Sequence, residues 1–199
     1  GATTTLQIDS DTESSIDFND HGGSAKRYKI GTNISDNNGQ LEFKDMTANV
    51  SRMRIDSSGN VGIGTTSPSA QLHISGTDTS DQVIIENTDT GGGSAPDLVL
   101  FRNSSSPADN DVIGRIDFRG DDDNGTARDY VTLFSTITDA STATPAGSFA
   151  IQTRNGSSQT TRLIVDGSGN IGIGLSSNID RKLHVQNDND YAAKFGGTG

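Results

Sequence analysis

The stretch "RMRIDSSGNVGIGTTSPSAQLHI", residues 52–74, decides how this chain folds. Apolar residues alternate with polar residues or glycine in 52–55 and again in 61–64, a pattern typical of half-buried β-strands. Between the two strands, "SSGN" predicts a tight turn in which Gly59 or Asn60 takes a positive φ. The stretch therefore predicts a β-hairpin, with a further short strand around His73.

A second copy of this stretch follows later in the chain. "DGSGNIGIGLSSNIDRKLHV", residues 166–185, places Asn170 110 residues after Asn60. Weaker echoes join "IDF" at 16–18 to "IDF" at 116–118, and "LEF" at 41–43 to "FAI" at 149–151. The repetition predicts a partial first β-module at 1–77, a complete second module at 78–188 and the start of a third at 189–199. The chain is thus interpreted as a segment of a longer protein.

The rest of the sequence also has the character of β-structure. Alternating or apolar segments separated by turn-forming clusters predict further strands, among them "LQID", "SIDF", "RYKI", "LEF", "LVLF", "RIDF" and "SFAI". No stretch shows the apolar stripe of a helix. The predicted fold class is therefore all-β, built from tandem β-modules.

Composition indicates that the chain needs partners to bury its surface. Only 30% of its residues are hydrophobic. Ordering one residue costs about 1–2 kcal/mol of backbone entropy, whereas burying a large apolar side chain contributes about 1.5–3 kcal/mol.

The net charge of −11 argues against nucleic acid as a partner. No apolar run is long enough for membrane insertion.

The glycines of the repeated stretch suggest where partner chains meet. Val61 and Ile63 share one face of their strand, which leaves glycine on the other, and interior glycines often mark the close approach of another backbone. We interpret that backbone as another chain. The predicted structural motif and inter-chain contacts are Gly59, Asn60, Gly62, Gly64, His73, Gly169, Asn170, Gly172, Gly174 and His184.

Ligand-binding interpretations of these residues are weaker. A dinucleotide fingerprint needs a third glycine and a following helix, but Ser67 and Pro68 stand there instead. His73 and His184 each lie between two apolar residues and are predicted to point away from them. Interchain or polar-face hydrogen bonding is favoured for them over a metal shared by three chains on an axis. The sequence predicts no catalytic residues, no cofactor and no metal site.

Residues 52–74 resemble a motif that recurs along bacteriophage tail fibres and related virion fibres, especially those of marine and cyanobacterial phages. There the motif often precedes a self-cleaving intramolecular chaperone. The second copy departs from it at Leu175, Asn178 and the insertion near Lys182. The resemblance implies an elongated, intertwined parallel homotrimeric fibre of sandwich-like or prism-like modules. It also implies an extracellular place in the virion, with other virion tail proteins and host surface glycans as partners.

Three functions remain open from the sequence. The favoured one is a non-enzymatic structural segment of a trimeric phage tail fibre involved in host-cell attachment. The second is a polysaccharide-degrading tailspike, against which the aromatic content of 5% and the lack of tryptophan count. The third is the stalk of a bacterial surface adhesin.

Overall fold

The computed structural model describes residue 8 and residues 10–22, 25–36, 38–93 and 95–186. In these ranges the regular secondary structure consists of β-strands alone, which confirms the all-β prediction. The described part of the chain offers no helix long and apolar enough to cross a membrane. The chain divides into two compact units, residues 1–96 and 97–199. The predicted module boundary at 77/78 stays a prediction, and the predicted third module at 189–199 lies outside the described residues.

The first unit holds a six-stranded sheet whose strands follow one another in chain order. Strands β1 to β5 form an antiparallel meander, and β6 pairs with β5 in parallel. The strands are β1 (Ser14–Asn19), β2 (Arg27–Thr32), β3 (Leu41–Asp45), β4 (Val50–Ile55), β5 (Val61–Ile63) and β6 (Leu72–Ile74).

The second unit holds a sheet of the same strand order and the same pairing directions. Its first four strands are longer than those of the first unit. They are β7 (Val112–Asp121), β8 (Ala127–Asp139), β9 (Ala146–Asn155) and β10 (Ser158–Val165), followed by β11 (Ile171–Ile173) and β12 (Leu183–Val185).

Strand register places apolar residues on one face of each sheet. Residues directly opposite each other on paired strands point to the same side. In the first unit one such row runs across all six strands as Ile16, Ile30, Phe43, Met53, Ile63 and Ile74. The corresponding row of the second unit is Ile116, Leu133, Ile151, Leu163, Ile173 and Val185.

The opposite face of each sheet is the better buried one. In the first unit it carries Glu42, Arg54 and Gly62 side by side, and Glu42 is 0% exposed. Phe18, on the apolar face, is 51% exposed. Among the described residues of both units, the buried hydrophobic side chains are only Ala150 and Leu175. In the first unit the usual arrangement is thus reversed, because loops of the chain cover the polar side and leave the apolar side bare.

One strand prediction is wrong. "LVLF" at 98–101 forms no strand, although its four apolar residues suit one. No backbone–backbone hydrogen bond joins this segment to the described part of the chain, so it lacks the paired neighbour that a strand requires. The strand predicted at "LQID", 6–9, lies outside the described residues except for Ile8, which is in no strand.

Candidate functional site

An aspartate organises the turn of the first repeated hairpin. The Asp56 carboxylate accepts the backbone N–H groups of Ser58 at 2.8 Å and Asn60 at 2.9 Å. Gly59 has a φ of 86° and donates its N–H to the Asp56 carbonyl at 3.0 Å. Asp56 donates its N–H to the Asn60 carbonyl at 2.9 Å, which leaves residues 57–59 as a three-residue loop. The positive φ falls on Gly59, the last of the three, as is usual in such loops. The backbone hydrogen bond from Asn60 is the main cause that lowers the pKa of the Asp56 carboxyl.

The same turn recurs in the second unit. Asp166 accepts the N–H of Asn170 at 2.8 Å, and Gly169 has a φ of 73°. The turn between β7 and β8 is built the same way on Asp122, with a φ of 73° at Gly125. The sequence pattern predicts the glycines and asparagines of the repeated turns as motif residues but assigns no role to the aspartates. The Asp-x-x-Gly spacing shared by the three turns is the signal that could have found them.

The space beside Gly62 is filled by the chain's own backbone. The connection from β5 to β6 passes over this glycine, and a Cβ there would lie 2.5 Å from the Thr65 carbonyl oxygen. Arg54 on β4 lies opposite Gly62 on β5. Its guanidinium donates to the Thr66 carbonyl at 3.3 Å and so fixes the same connection over the sheet. At Gly172 the space is taken by the Ile179 side chain, 2.9 Å from such a Cβ.

The other two glycines of the motif also meet their own chain. Gly64 has a φ of 71°, and a Cβ there would collide with the carbonyl oxygen of Ser75. Gly174 has a φ of 77° and stands against the carbonyl oxygen of Gln186. A neighbouring chain is therefore not needed to explain these glycines, and their inter-chain role stays a prediction.

Replacing Gly64 with alanine is expected to destabilise the first unit far more than replacing Gly59. Both positions have a positive φ, which costs a side chain about 1–2 kcal/mol. Only at Gly64 would the new methyl group also displace backbone, since Gly59 has open space around it. Thermal unfolding of the two variants at one protein concentration measures the difference. Equal losses would show that the close contact with Ser75 is unimportant.

His73 and His184 occupy matching positions on the covered faces of the two sheets. His73 lies opposite Gly62 and accepts the N–H of Ser69 on Nδ1 at 3.3 Å. His184 lies opposite Gly172, with its Nδ1 3.2 Å from an Asp180 carboxylate oxygen. Within the described ranges, no group of three or more His, Asp or Glu residues is arranged to hold a metal ion. Both imidazoles make these contacts inside their own unit.

A buried ion pair distinguishes the first unit from the second. Arg54 contacts a carboxylate oxygen of Glu42 at 2.7 Å and one of Asp36 at 3.5 Å. Burial alone would raise the pKa of Glu42, but hydrogen bonds, chiefly those from Arg54, hold it below its ordinary value of 4.5. At the same register positions the second unit has Ala150 and Ile164.

The bare apolar faces are the strongest candidate for a functional surface. Six strands at a spacing of about 4.8 Å make each face roughly 25 Å wide. Phe118, on the face of the second unit, is 56% exposed. Contiguous apolar patches of more than a few hundred Å² are rare on monomeric proteins and mark sites of interaction. Such faces are typical of surfaces that contact another molecule.

Comparison with known proteins finds a match in fold only. No family model and no curated protein matches the chain. Among solved structures, the chain is similar to the carboxy-terminal domain of the bacteriophage T5 L-shaped tail fibre, with a TM-score of 0.56 and 11% sequence identity. The match covers 93% of this chain and 86% of that one. The all-β fold is thus one that a phage tail fibre domain also has.

Proposed function

We propose that the chain is a non-enzymatic structural segment of a homotrimeric phage tail fibre that takes part in host-cell attachment. The observation that carries the proposal is the apolar face that each six-stranded sheet leaves uncovered. The likeness to a tail fibre domain supports it at the level of the fold. The chain would then lie outside the cell as part of the virion, joined to other virion tail proteins.

A parallel trimer suits these faces because a sheet with one apolar side needs a second layer against it. Three equivalent sheets around one axis would turn their apolar sides inward and enclose a common core. Each large apolar side chain buried in this way contributes about 1.5–3 kcal/mol. The covered sides would face outward, together with the Asp-, Asn- and Ser-rich loops that we propose for contact with host surface glycans.

The mass of the purified chain under native conditions tests the assembly. Light scattering after size exclusion is expected to give three times the chain mass of 20.8 kDa. A stable monomer would contradict the proposal, and a dimer would keep the buried faces but exclude the trimer. Turnover of capsule polysaccharide by the trimer would instead favour the tailspike.

A further inference from the structure

Two apolar runs lie outside both sheets, in a chain that has few apolar residues. They are "VII" at 83–85 and "LVLF" at 98–101. All seven side chains are exposed, with Ile84 at 73% and both Val99 and Phe101 at 77%. Exposed apolar side chains in two separate runs are unfavourable in a monomeric protein, where such surface usually marks an interaction site.

The backbones of these runs are free to pair. The described residues show no helix, strand or turn at 83–85 or 98–101, and no backbone–backbone hydrogen bond to either run. The uninterrupted four-residue run at 98–101 is typical of a strand that is buried on both faces. Its backbone therefore lacks the paired neighbour that such a strand requires.

The second run is already held in place on one side. A Cβ on Gly114 would lie 3.0 Å from the Leu100 Cβ, so Leu100 lies directly against β7. Arg102 fixes the end of the run, because it donates to the Val112 carbonyl at 3.1 Å and contacts the Asp111 carboxylate at 3.0 Å. The run is thus anchored at the edge strand of the second sheet.

The held side of this run continues the bare apolar face. Leu98 and Leu100 line a groove of about 350 Å³ together with Ile116, Leu133 and Phe149, which belong to that face. Val99 and Phe101 alternate with these leucines and are the more exposed residues of the run. A molecule that covers the apolar face at this groove would therefore lie next to Val99 and Phe101.

We propose that the run at 98–101 becomes a β-strand only on assembly, paired with and covered by a second copy of this chain. The inference rests on the proposed trimer and adds to it a segment through which the chains pair. A second copy is the occupant because the groove at 98–101 is continuous with the face that the copies are proposed to bury. The chain's own apolar runs also supply the matching chemistry.

Cysteine labelling of the assembled chain tests the contact, because the natural chain has no cysteine. We expect maleimide to label Val99→Cys about ten-fold or more slowly in the trimer than in the dissociated chain, the result of burial worth at least 1.4 kcal/mol. Ser105→Cys, four residues past the run's Phe101 and exposed, is the matched control and should label quickly in both states. The purified protein contains only copies of this chain, so protection identifies a copy as the partner.

Hydrogen exchange on the unmodified trimer keeps the test independent of the cysteine variants. Amides of 98–101 are expected to exchange as slowly as those of β8, since strand pairing protects them. Fast labelling at Val99→Cys, or fast exchange at 98–101, in a protein of trimer mass would overturn the pairing and leave the proposed function standing. A protein that stays monomeric would overturn both.

Discussion

Replacing Phe18 and Phe118 together with aspartate is expected to convert the proposed trimer into monomers. These residues lie at matching places in "IDF" on β1 and β7, and both are more than half exposed in the chain by itself. Their side chains point to the bare apolar faces, so the substitutions leave the covered sides untouched. In the trimer each carboxylate would be buried without a partner, at a cost of several kcal/mol apiece.

The matched control adds the same charge away from the apolar faces. Asn19 neighbours Phe18 on β1 but points to the other side of the sheet, and Asn124 lies in the exposed turn between β7 and β8. Asn19→Asp with Asn124→Asp is therefore expected to remain trimeric by light scattering. A trimeric Phe18→Asp, Phe118→Asp variant would place the subunit contacts elsewhere, and dissociation of the control would point to charge repulsion instead.

Alternation in the sequence predicted most strands correctly because the side-chain period of a strand is local. It placed Val61 and Ile63 on one face of β5 with Gly62 on the other, and the register agrees. It could not say which face the chain covers by itself. That depends on the connection from β5 to β6 folding back across Gly62, a local turn that carries no periodic signal in the sequence.

The wrong strand prediction has a related cause. Residues 98–101 have strand-like composition, but a strand forms only where a second backbone supplies hydrogen bonds, and composition does not reveal where that backbone comes from. The turns were predicted only in part, for a different reason. A glycine in a turn cluster predicts a positive φ directly, whereas the role of Asp56 depends on its carboxylate accepting N–H groups two and four residues ahead.

Removing Arg54 is expected to destabilise the first unit by about 3–5 kcal/mol, because Glu42 would remain buried without its partner. Arg54→Ile combined with Glu42→Ala reproduces the Ile164 and Ala150 found at the same positions in the second unit. We expect this double variant to regain more than half of the loss. Native-state hydrogen exchange of the β3 and β4 amides measures the effect in the first unit alone.

An exposed ion pair provides the control for this series. Arg181, 75% exposed, contacts Asp180 at 3.3 Å in the second unit. Arg181→Ile makes the same chemical change where water surrounds both charges, so we expect it to alter stability by less than about 0.5 kcal/mol. Equal losses in the Arg54→Ile single variant and the double variant would show that the buried pair is not the source of the effect.

The pH dependence of stability provides a second, independent measure of the Arg54–Glu42 pair. The folded pKa of Glu42 lies below its ordinary value of 4.5, so the pair contributes stability above that pH and loses it as the pH falls through the folded pKa. In Arg54→Ile the uncompensated burial raises the Glu42 pKa, and protonation then relieves the unpaired charge. We therefore expect the stability gap between the natural chain and Arg54→Ile to narrow from pH 7 to pH 3. A gap that stays constant over this range would mean that Arg54 acts through packing and not through its charge.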